Sequence, residues 1–312
     1  MTTTKTITHT AAALMAVFIG LNSGHANAQP ILTFTDVIVP GGINPAAIGI
    51  NNAGTIVGVY GVEGDPNFWA GFIDRKGVFT DVILPPPAST ISQLTGINDA
   101  GVAVGQNFGF DGTMQSFLRT AHGNILYPPE ATTSGPNPFT WLIHNNNQGD
   151  VVGETGSDFG GNSSPPHGCV LHDGHYSLFD FPGAVGTVGM GINDHGDIVG
   201  WYQNATGLAH GFLKRGDIYT TIDFPGADFT NLMDINDKGQ IVGAYGSVSD
   251  YTWHGFLFSD GVFTTVDFPG EEESGNIVWS INDEGNAVGW YANGNGGFLV
   301  NIAPPKNVKH KQ

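Results

Sequence analysis

The chain has 312 residues, a formal net charge of −18 at pH 7 and a single cysteine, Cys169. The acidic excess argues against binding to nucleic acid or to anionic membrane surfaces, because both repel a strongly negative protein. One cysteine excludes an intramolecular disulfide, so the core and the hydrogen-bonded strands must hold the fold alone.

The first 28 residues have the pattern of a secretion signal peptide. Lys5 precedes an apolar run from Ala11 to Leu21, and Ala26-Asn27-Ala28 supplies the small residues of a cleavage site. The run is too short to span a bilayer, and a retained membrane anchor is the alternative. We expect cleavage after Ala28 and a secreted or periplasmic protein that starts at Gln29, with no membrane span in the rest of the chain.

The rest of the chain is a sixfold repeat. An Asn followed three residues later by Gly, mostly with Ile before it, occurs at Asn51, Asn98, Asn146, Asn193, Asn236 and Asn282, which we use to number repeats 1 to 6. In each repeat, strand a leads into this Asn turn and strand b follows it. A loop of variable length then leads to strand c, and an Asp-Gly type turn reverses the chain into strand d. Four strands in 43 to 48 residues are typical of one blade of a β-propeller.

Repeat 5 illustrates the pattern. Its predicted strands are Thr230–Ile235, Gln240–Tyr245, His254–Leu257 and Val262–Asp267. Their Val, Ile, Phe, Tyr and Thr residues suit half-buried strands. Asn, Asp and Gly between the strands suit tight turns, because Asx side chains bond to the local backbone and Gly accepts a positive φ.

The two ends of the repeat region complement each other. A d strand, Phe34–Val39, precedes the first repeat, and the last repeat ends after its c strand, Gly297–Val300. The first strand can therefore complete the last sheet and remove its exposed edge. We predict an all-β fold, a six-bladed β-propeller of four-stranded antiparallel blades over 29–302, followed by a flexible tail over 303–312. An open β-solenoid is the alternative.

A second motif opens strand c. It reads His210-Gly211-Phe212, His254-Gly255-Phe256 and, more loosely, His167-Gly168-Cys169. With the Asn turn, it resembles the HAF-repeat family of extracellular repeat proteins. The resemblance covers nearly all the chain after the signal peptide. It implies export and a repeat architecture, and no known reaction.

Each of these histidines is followed thirteen residues later by an Asp. The pairs are His167 and Asp180, His210 and Asp223, and His254 and Asp267. Their midpoints fall on the c–d turn, so the partners should face each other across a hairpin. Where the His is replaced by Ala70, Gln115 or Gly296, the expected partners are Ile83, Leu126 and Ile38. We interpret the pairs as structural, with a metal or catalytic role as the alternative. Cys169, which replaces Phe, is predicted to be a buried apolar side chain.

The variable loops favour a binding role. The b–c and d–a loops should lie on one side, the loop face, and the a–b and c–d turns on the other, the turn face. The loop face is rich in acids and aromatics. The residues that we predict to bind a ligand there are Trp69, Asp228, Tyr251, Trp253, Glu271, Glu272 and Glu273.

We interpret the chain as a secreted, non-catalytic binding module for a cation, a neutral glycan or a basic protein, and we expect a monomer. No copy carries a nucleophile, a base and an orienting partner, so we assign no catalytic residue, metal ligand or cofactor. Ca²⁺ is the one cofactor whose binding the acidic loops would allow. The alternatives are a carboxylate- or Ca²⁺-dependent hydrolase or lyase that acts on a neutral glycan through Glu271 to Glu273, and a purely structural extracellular repeat protein.

Overall fold

The protein is built from β-strands in the part that the structure describes. The computed structural model describes residues 29–83, 91–109, 114–127, 139–156, 165–249, 252–271, 275–291 and 296–304, without the side chains of 66 and 67. Within these ranges there is no helix, and so none that could cross a membrane. The predicted signal peptide and residues 305–312 of the predicted tail lie outside the described residues.

The described ranges contain twenty-four strands. They are β1 (Ile31–Val37), β2 (Gly42–Ile50), β3 (Thr55–Val62), β4 (Asp65–Arg75), β5 (Val78–Val82), β6 (Ile91–Ile97), β7 (Ala103–Phe108), β8 (Met114–Thr120), β9 (Gly123–Tyr127), β10 (Phe139–Asn145), β11 (Val151–Gly156), β12 (His167–His172), β13 (His175–Phe179), β14 (Gly186–Ile192), β15 (Ile198–Gln203), β16 (Ala209–Arg215), β17 (Ile218–Thr221), β18 (Phe229–Ile235), β19 (Ile241–Gly246), β20 (Trp253–Ser259), β21 (Val262–Thr265), β22 (Asn276–Ile281), β23 (Asn286–Tyr291) and β24 (Gly296–Ala303).

The strands form four-stranded antiparallel units that follow the predicted order a, b, c, d. Repeats 3, 4 and 5 each make a separate sheet, β10 to β13, β14 to β17 and β18 to β21. Repeats 1 and 2 make two such units, joined into one eight-stranded sheet by a single parallel pair between Trp69 and Ile91. The all-β class and the antiparallel four-stranded units are confirmed.

The sixth unit takes its outer strand from the start of the chain. Its order is β1, β24, β23, β22, and β1 runs antiparallel to β24, with Val37 opposite Gly297 and Ile31 opposite Ala303. The last strand therefore continues to Ala303, one residue past the predicted boundary of the repeat region.

The core uses the same strand-c position in every repeat. Phe72, Phe117, Phe212, Phe256 and Phe298 are fully buried there, and Cys169 takes this place in repeat 3 with no exposed surface. Cys169 packs with Leu142, Val151 and Leu171, which confirms its prediction as a buried apolar side chain.

A β-bulge explains the recurrent Gly of strand b. Every a–b ladder shifts register at the same place, for example between Gly189 and Gly191. The bulge brings a strand-a carbonyl against strand b, so a Cβ atom on Gly200 would lie 2.0 Å from the oxygen of Val188. The corresponding distance is 1.9 to 2.2 Å in the other five repeats. Only Gly fits at this position.

One predicted pairing is wrong. Leu126 does not face Gln115; it lies opposite Phe117, because the β8–β9 hairpin turns at Ala121 and His122, with Thr120 paired to Gly123. The turn lies one residue further along the chain than predicted, which displaces the partner by two residues.

Candidate functional site

Those predicted loop-face residues that the structure describes do not form one cluster. Tyr251, Glu272 and Glu273 lie outside the described residues. Asp228, which precedes strand β18, stabilises the b–c loop of the same repeat. Its Oδ2 accepts hydrogen bonds from Ser247 Oγ and from the Val248 backbone N–H, both at 2.9 Å. The backbone carbonyl of Glu271 accepts a 2.7 Å bond from the Asn276 amide.

The two predicted tryptophans have different surroundings. They occupy the same strand-c position, Trp69 opposite Gly61 and Trp253 opposite Gly246. Trp253 packs on Phe229, with ring centroids 4.6 Å apart, and belongs to a large cluster. Trp69 lies at the junction with Ile91 of repeat 2, outside that cluster.

Five of the six tryptophans of the chain meet in this cluster, which we call the tryptophan cluster. They come from repeats 3 to 6, and each is only partly buried. Their members are Trp141, Trp201, Trp253, Trp279 and Trp290, packed around Ile143, Val188, Met190, Met233, Ala244 and Ile277. Tryptophans from four repeats thus pack against one buried apolar cluster.

Polar atoms without partners accompany these rings. The indole N–H groups of Trp141 and Trp279 are buried and make no hydrogen bond, and neither does the side-chain oxygen of Asn231. Asn231 lies opposite Ala244, a member of the cluster core. Buried polar groups are normally paired, so these three atoms are exceptions to that rule within the described residues.

A carboxyl group lies beside the cluster. Glu154 is directly opposite Trp141 in the β10–β11 ladder. Burial raises the pKa of Glu154 to about 7, because the low-dielectric surroundings disfavour the ionised form. Near neutral pH, this side chain can therefore donate or accept a proton.

We expect Glu154→Gln to stabilise the protein at alkaline pH. The pKa of Glu154 is higher in the folded state than in the unfolded state. Its carboxyl therefore does not change the free energy of unfolding below about pH 4.5, and it lowers that free energy increasingly as the pH rises to about 7. Above pH 8 the variant should be more stable by about 3 kcal/mol, and Gln106 already occupies the equivalent position in repeat 2. Urea unfolding at pH 5 and pH 8 measures this, with the exposed Glu63→Gln as a control that should not change. A gain of equal size at both pH values would contradict the prediction.

The three His–Asp contacts are present. His210 Nδ1 and His254 Nδ1 each lie 2.8 Å from the Oδ2 atom of Asp223 and Asp267, and His167 Nδ1 lies 2.9 Å from Asp180 Oδ2. The second oxygens of Asp223 and Asp267 accept the backbone N–H of Gly211 and Gly255 at 3.1 Å. Each Asp thus joins a His ring to the outer hairpin of its own repeat.

On the turn face, the six Asn turns surround one cavity, which we call the turn cavity. Each Asn carboxamide donates to the backbone carbonyl of the corresponding Asn in the next repeat, at 2.9 to 3.2 Å. The last of these bonds runs from Asn282 back to Asn51. All six side chains are buried, so the bonds form a cycle through every repeat.

A second cycle lies beside the first and uses the residue after each Asn. Its backbone N–H donates to the side-chain Oδ1 of the corresponding residue in the next repeat, at 2.7 to 2.9 Å. These six residues are Asn52, Asp99, Asn147, Asp194, Asp237 and Asp283. An Asn or Asp is required at each place because the bond needs a short side-chain acceptor.

A buried polar group lies at the inner end of the strand-a segments. Asp234 is 1% exposed, accepts a 2.7 Å bond from Ser280 Oγ, and lies 3.5 Å from His144 Nε2. Burial raises the pKa of Asp234, although His144, Ser280 and two backbone N–H groups oppose the increase. His144 is not placed to take the Ser280 proton, since both groups approach the same carboxylate oxygen. This is not the geometry of a serine nucleophile with its base.

Sequence reasoning missed His144, Asp234 and Ser280. All three stand two residues before the repeated Asn, where repeats 1, 2 and 4 have Gly. The glycines leave the space that these side chains fill, since a Cβ on Gly191 would lie 2.6 Å from Asp234 Cα, and one on Gly96 would lie 3.0 Å from His144 Cδ2. The replacement of Gly by His, Asp or Ser two residues before the repeated Asn is the sequence signal that could have identified these residues.

No family model matches the chain, and no curated protein matches it. Among solved structures, it resembles a protein of unknown function from Dyadobacter fermentans, with 12% identity over 89% of this chain and 100% of that one, and a TM-score of 0.55. It is also similar to the β-propeller domain of the Trilobed protease from Pyrococcus furiosus (9% identity, 80% and 78% coverage, TM-score 0.49). A third match is the Aleuria aurantia lectin in complex with α-methyl-L-fucoside (11% identity, 89% and 100% coverage, TM-score 0.46). The first likeness concerns the fold alone.

Proposed function

We propose that the chain is an exported, non-catalytic binding module, built as a closed six-bladed β-propeller of the HAF-repeat type. Two observations support a ring. Both hydrogen-bond cycles return to repeat 1 after passing through all six repeats, and β1 completes the sheet of repeat 6. The signal-peptide pattern of the first 28 residues supports export.

The tryptophan cluster carries the assignment of a binding role. Binding sites for small ligands are largely apolar or aromatic, with a few polar groups that fix the orientation of the ligand. The cluster has this composition, because partly buried indole rings from four repeats adjoin the unpartnered atoms of Trp141, Trp279 and Asn231.

A neutral glycan is the ligand class that fits this chemistry best. The apolar faces of sugar rings can stack on indoles, and sugar hydroxyls can pair with both the indole N–H donors and the amide and carboxyl acceptors. An anionic ligand would need Arg or Lys at the site. The six described Arg and Lys residues instead lie in or beside the a–b and c–d turns, and none of them is a member of the cluster: Arg75, Lys76, Arg119, Lys214, Arg215 and Lys238.

We expect Trp253→Ala to weaken glycan binding at least tenfold, because it removes one wall of the cluster. The purified protein is first screened on an array of neutral oligosaccharides, and the affinity for the best ligand is then measured by calorimetry. Trp69→Ala is the matched control, since Trp69 has the same strand position outside the cluster, and it should bind like the wild type.

Three outcomes would contradict the proposal: no neutral glycan binds, both variants lose affinity equally, or neither loses any. Release of reducing sugars, abolished by Glu154→Gln, would favour the hydrolase alternative instead. The raised pKa of Glu154 is the one observation that supports it, because a glycosidase needs a protonated carboxyl near neutral pH.

A further inference from the structure

Strand d of repeat 6 differs from the other d strands because it is not joined to its strand c by a turn. It is β1, which comes from the start of the chain and begins at Ile31, opposite Ala303 of β24. Only two described residues, Gln29 and Pro30, precede it. The strand that completes this sheet therefore has an end of its own, whereas every other c–d pair is connected by a short loop.

Gln29 lies at this end with space around it. Its side chain is exposed, and within the described residues no hydrogen bond holds it. Gln29 borders a cleft of about 550 Å³, which is also lined by Ile302 and Pro304 of the same end and by Val262 and Thr264 of repeat 5. The Gln29 side chain can therefore rotate without displacing packed atoms.

A free α-amine on Gln29 is a consequence of the proposed export, on which this inference rests. Removal of the signal peptide after Ala28 would make Gln29 the first residue. An α-amine titrates near neutral pH, so part of it is uncharged and nucleophilic. The side-chain amide carbon of the same residue lies within reach of this amine, and two groups held together in this way react far faster than separate molecules.

We propose that Gln29 of the exported protein is converted to pyroglutamate. The α-amino nitrogen attacks Cδ of the side-chain amide and forms a bond to it, and the bond between Cδ and Nε2 breaks. One proton passes from the attacking nitrogen to Nε2, which leaves as ammonia, and no oxidant or reductant is needed. The product is an uncharged lactam. It has no free α-amine for an aminopeptidase to bind, at a chain end where proteolysis would otherwise begin, two residues before the strand that completes the sheet of repeat 6.

The mass of the intact exported protein tests the proposal. The full chain is expressed in a host that exports it, recovered from outside the cytoplasm and stored until its mass no longer changes. We expect the main species to be one ammonia lighter than the chain 29–312. Reductive methylation of the undigested protein, followed by digestion and tandem mass spectrometry, should label the lysine side chains and leave the nitrogen of residue 29 unlabelled.

Gln29→Asn is the matched control. Asn keeps the primary amide and the α-amine but is one methylene shorter, so the corresponding ring would be a strained four-membered one. The variant should keep its full mass and take up the label at residue 29. Its mass also shows whether cleavage still follows Ala28.

Three results would overturn the proposal, and the mass distinguishes them. A wild-type chain 29–312 that retains the ammonia and is labelled at Gln29 rules out cyclisation and leaves export intact. Loss of one ammonia in Gln29→Asn as well places the reaction at another residue. A chain that keeps the first 28 residues, or that begins elsewhere than Gln29, contradicts the cleavage itself. None of these results depends on the tryptophan cluster.

Discussion

Gly200→Ala is expected to destabilise the protein by about 3 kcal/mol or more. In an ordinary strand, Ala is more favourable than Gly by about 0.5–1 kcal/mol, so the expected sign is the reverse of the intrinsic preference. The reason is the bulge in strand a, which would leave the new Cβ 2.0 Å from the Val188 oxygen and 3.0 Å from the Phe212 ring. Neither atom can move away without displacing a ladder or the core.

Urea unfolding measures this change. Gly243→Ala should behave in the same way, because its Cβ would lie 2.1 Å from the Asn231 oxygen. Ser177→Ala, at an exposed position of strand β13, is the control and should stay within about 0.5 kcal/mol of the wild type. Loss of soluble folded protein in both Gly variants agrees with the prediction. Unchanged unfolding midpoints would show that the bulge carbonyl does not approach strand b.

Asn193→Ala is expected to cost about 3 kcal/mol, because it removes three hydrogen bonds of a buried side chain. The Oδ1 atom accepts the backbone N–H groups of His195 and Asp197, at 3.1 and 2.9 Å, and the amide donates to Asn236 of the next repeat. Only the last bond joins two repeats.

Asn204 offers a matched control for the bond between repeats. Its Oδ1 accepts the backbone N–H groups of Thr206 and Leu208 in the same local pattern, but its amide contacts His210 of its own repeat. Asn204→Ala should therefore cost about 1 kcal/mol. The difference between the two variants in urea unfolding reports the inter-repeat bond together with the deeper burial of Asn193, and equal losses would contradict the importance of both.

Much of the fold could be predicted because the turn and strand pattern within each repeat indicates the order of its four strands. The turns at Asn236 and at Asp260-Gly261 delimit strands whose alternation fits half-buried sheets, and the structure has them within a few residues. The His–Asp contacts could be predicted because both partners lie the same number of residues from the c–d turn. The same argument failed for Leu126, because a turn misplaced by one residue moves the cross-strand partner by two.

The candidate sites were harder to predict because packing between repeats creates them. Trp141, Trp201 and Trp253 stand on strands a, b and c of three different repeats, so no local pattern brings them together. His144 and Asp234 are 90 residues apart and meet because Gly191, between them in the order of repeats, has no side chain. A comparison of the repeats position by position identifies such residues, because they are the positions at which one repeat differs from the others. The shared motif alone does not include them.

The two hydrogen-bond cycles have neither a beginning nor an end, and this affects how the protein can unfold. In a linear array of repeats, the outermost units have one neighbour, fray first and need polar caps. Here the unit of Asn51 donates to Asn98 and accepts from Asn282, so it has a neighbour on each side like every other unit. Opening any one junction removes bonds from both cycles at once, which favours a single cooperative transition over melting from the termini inward.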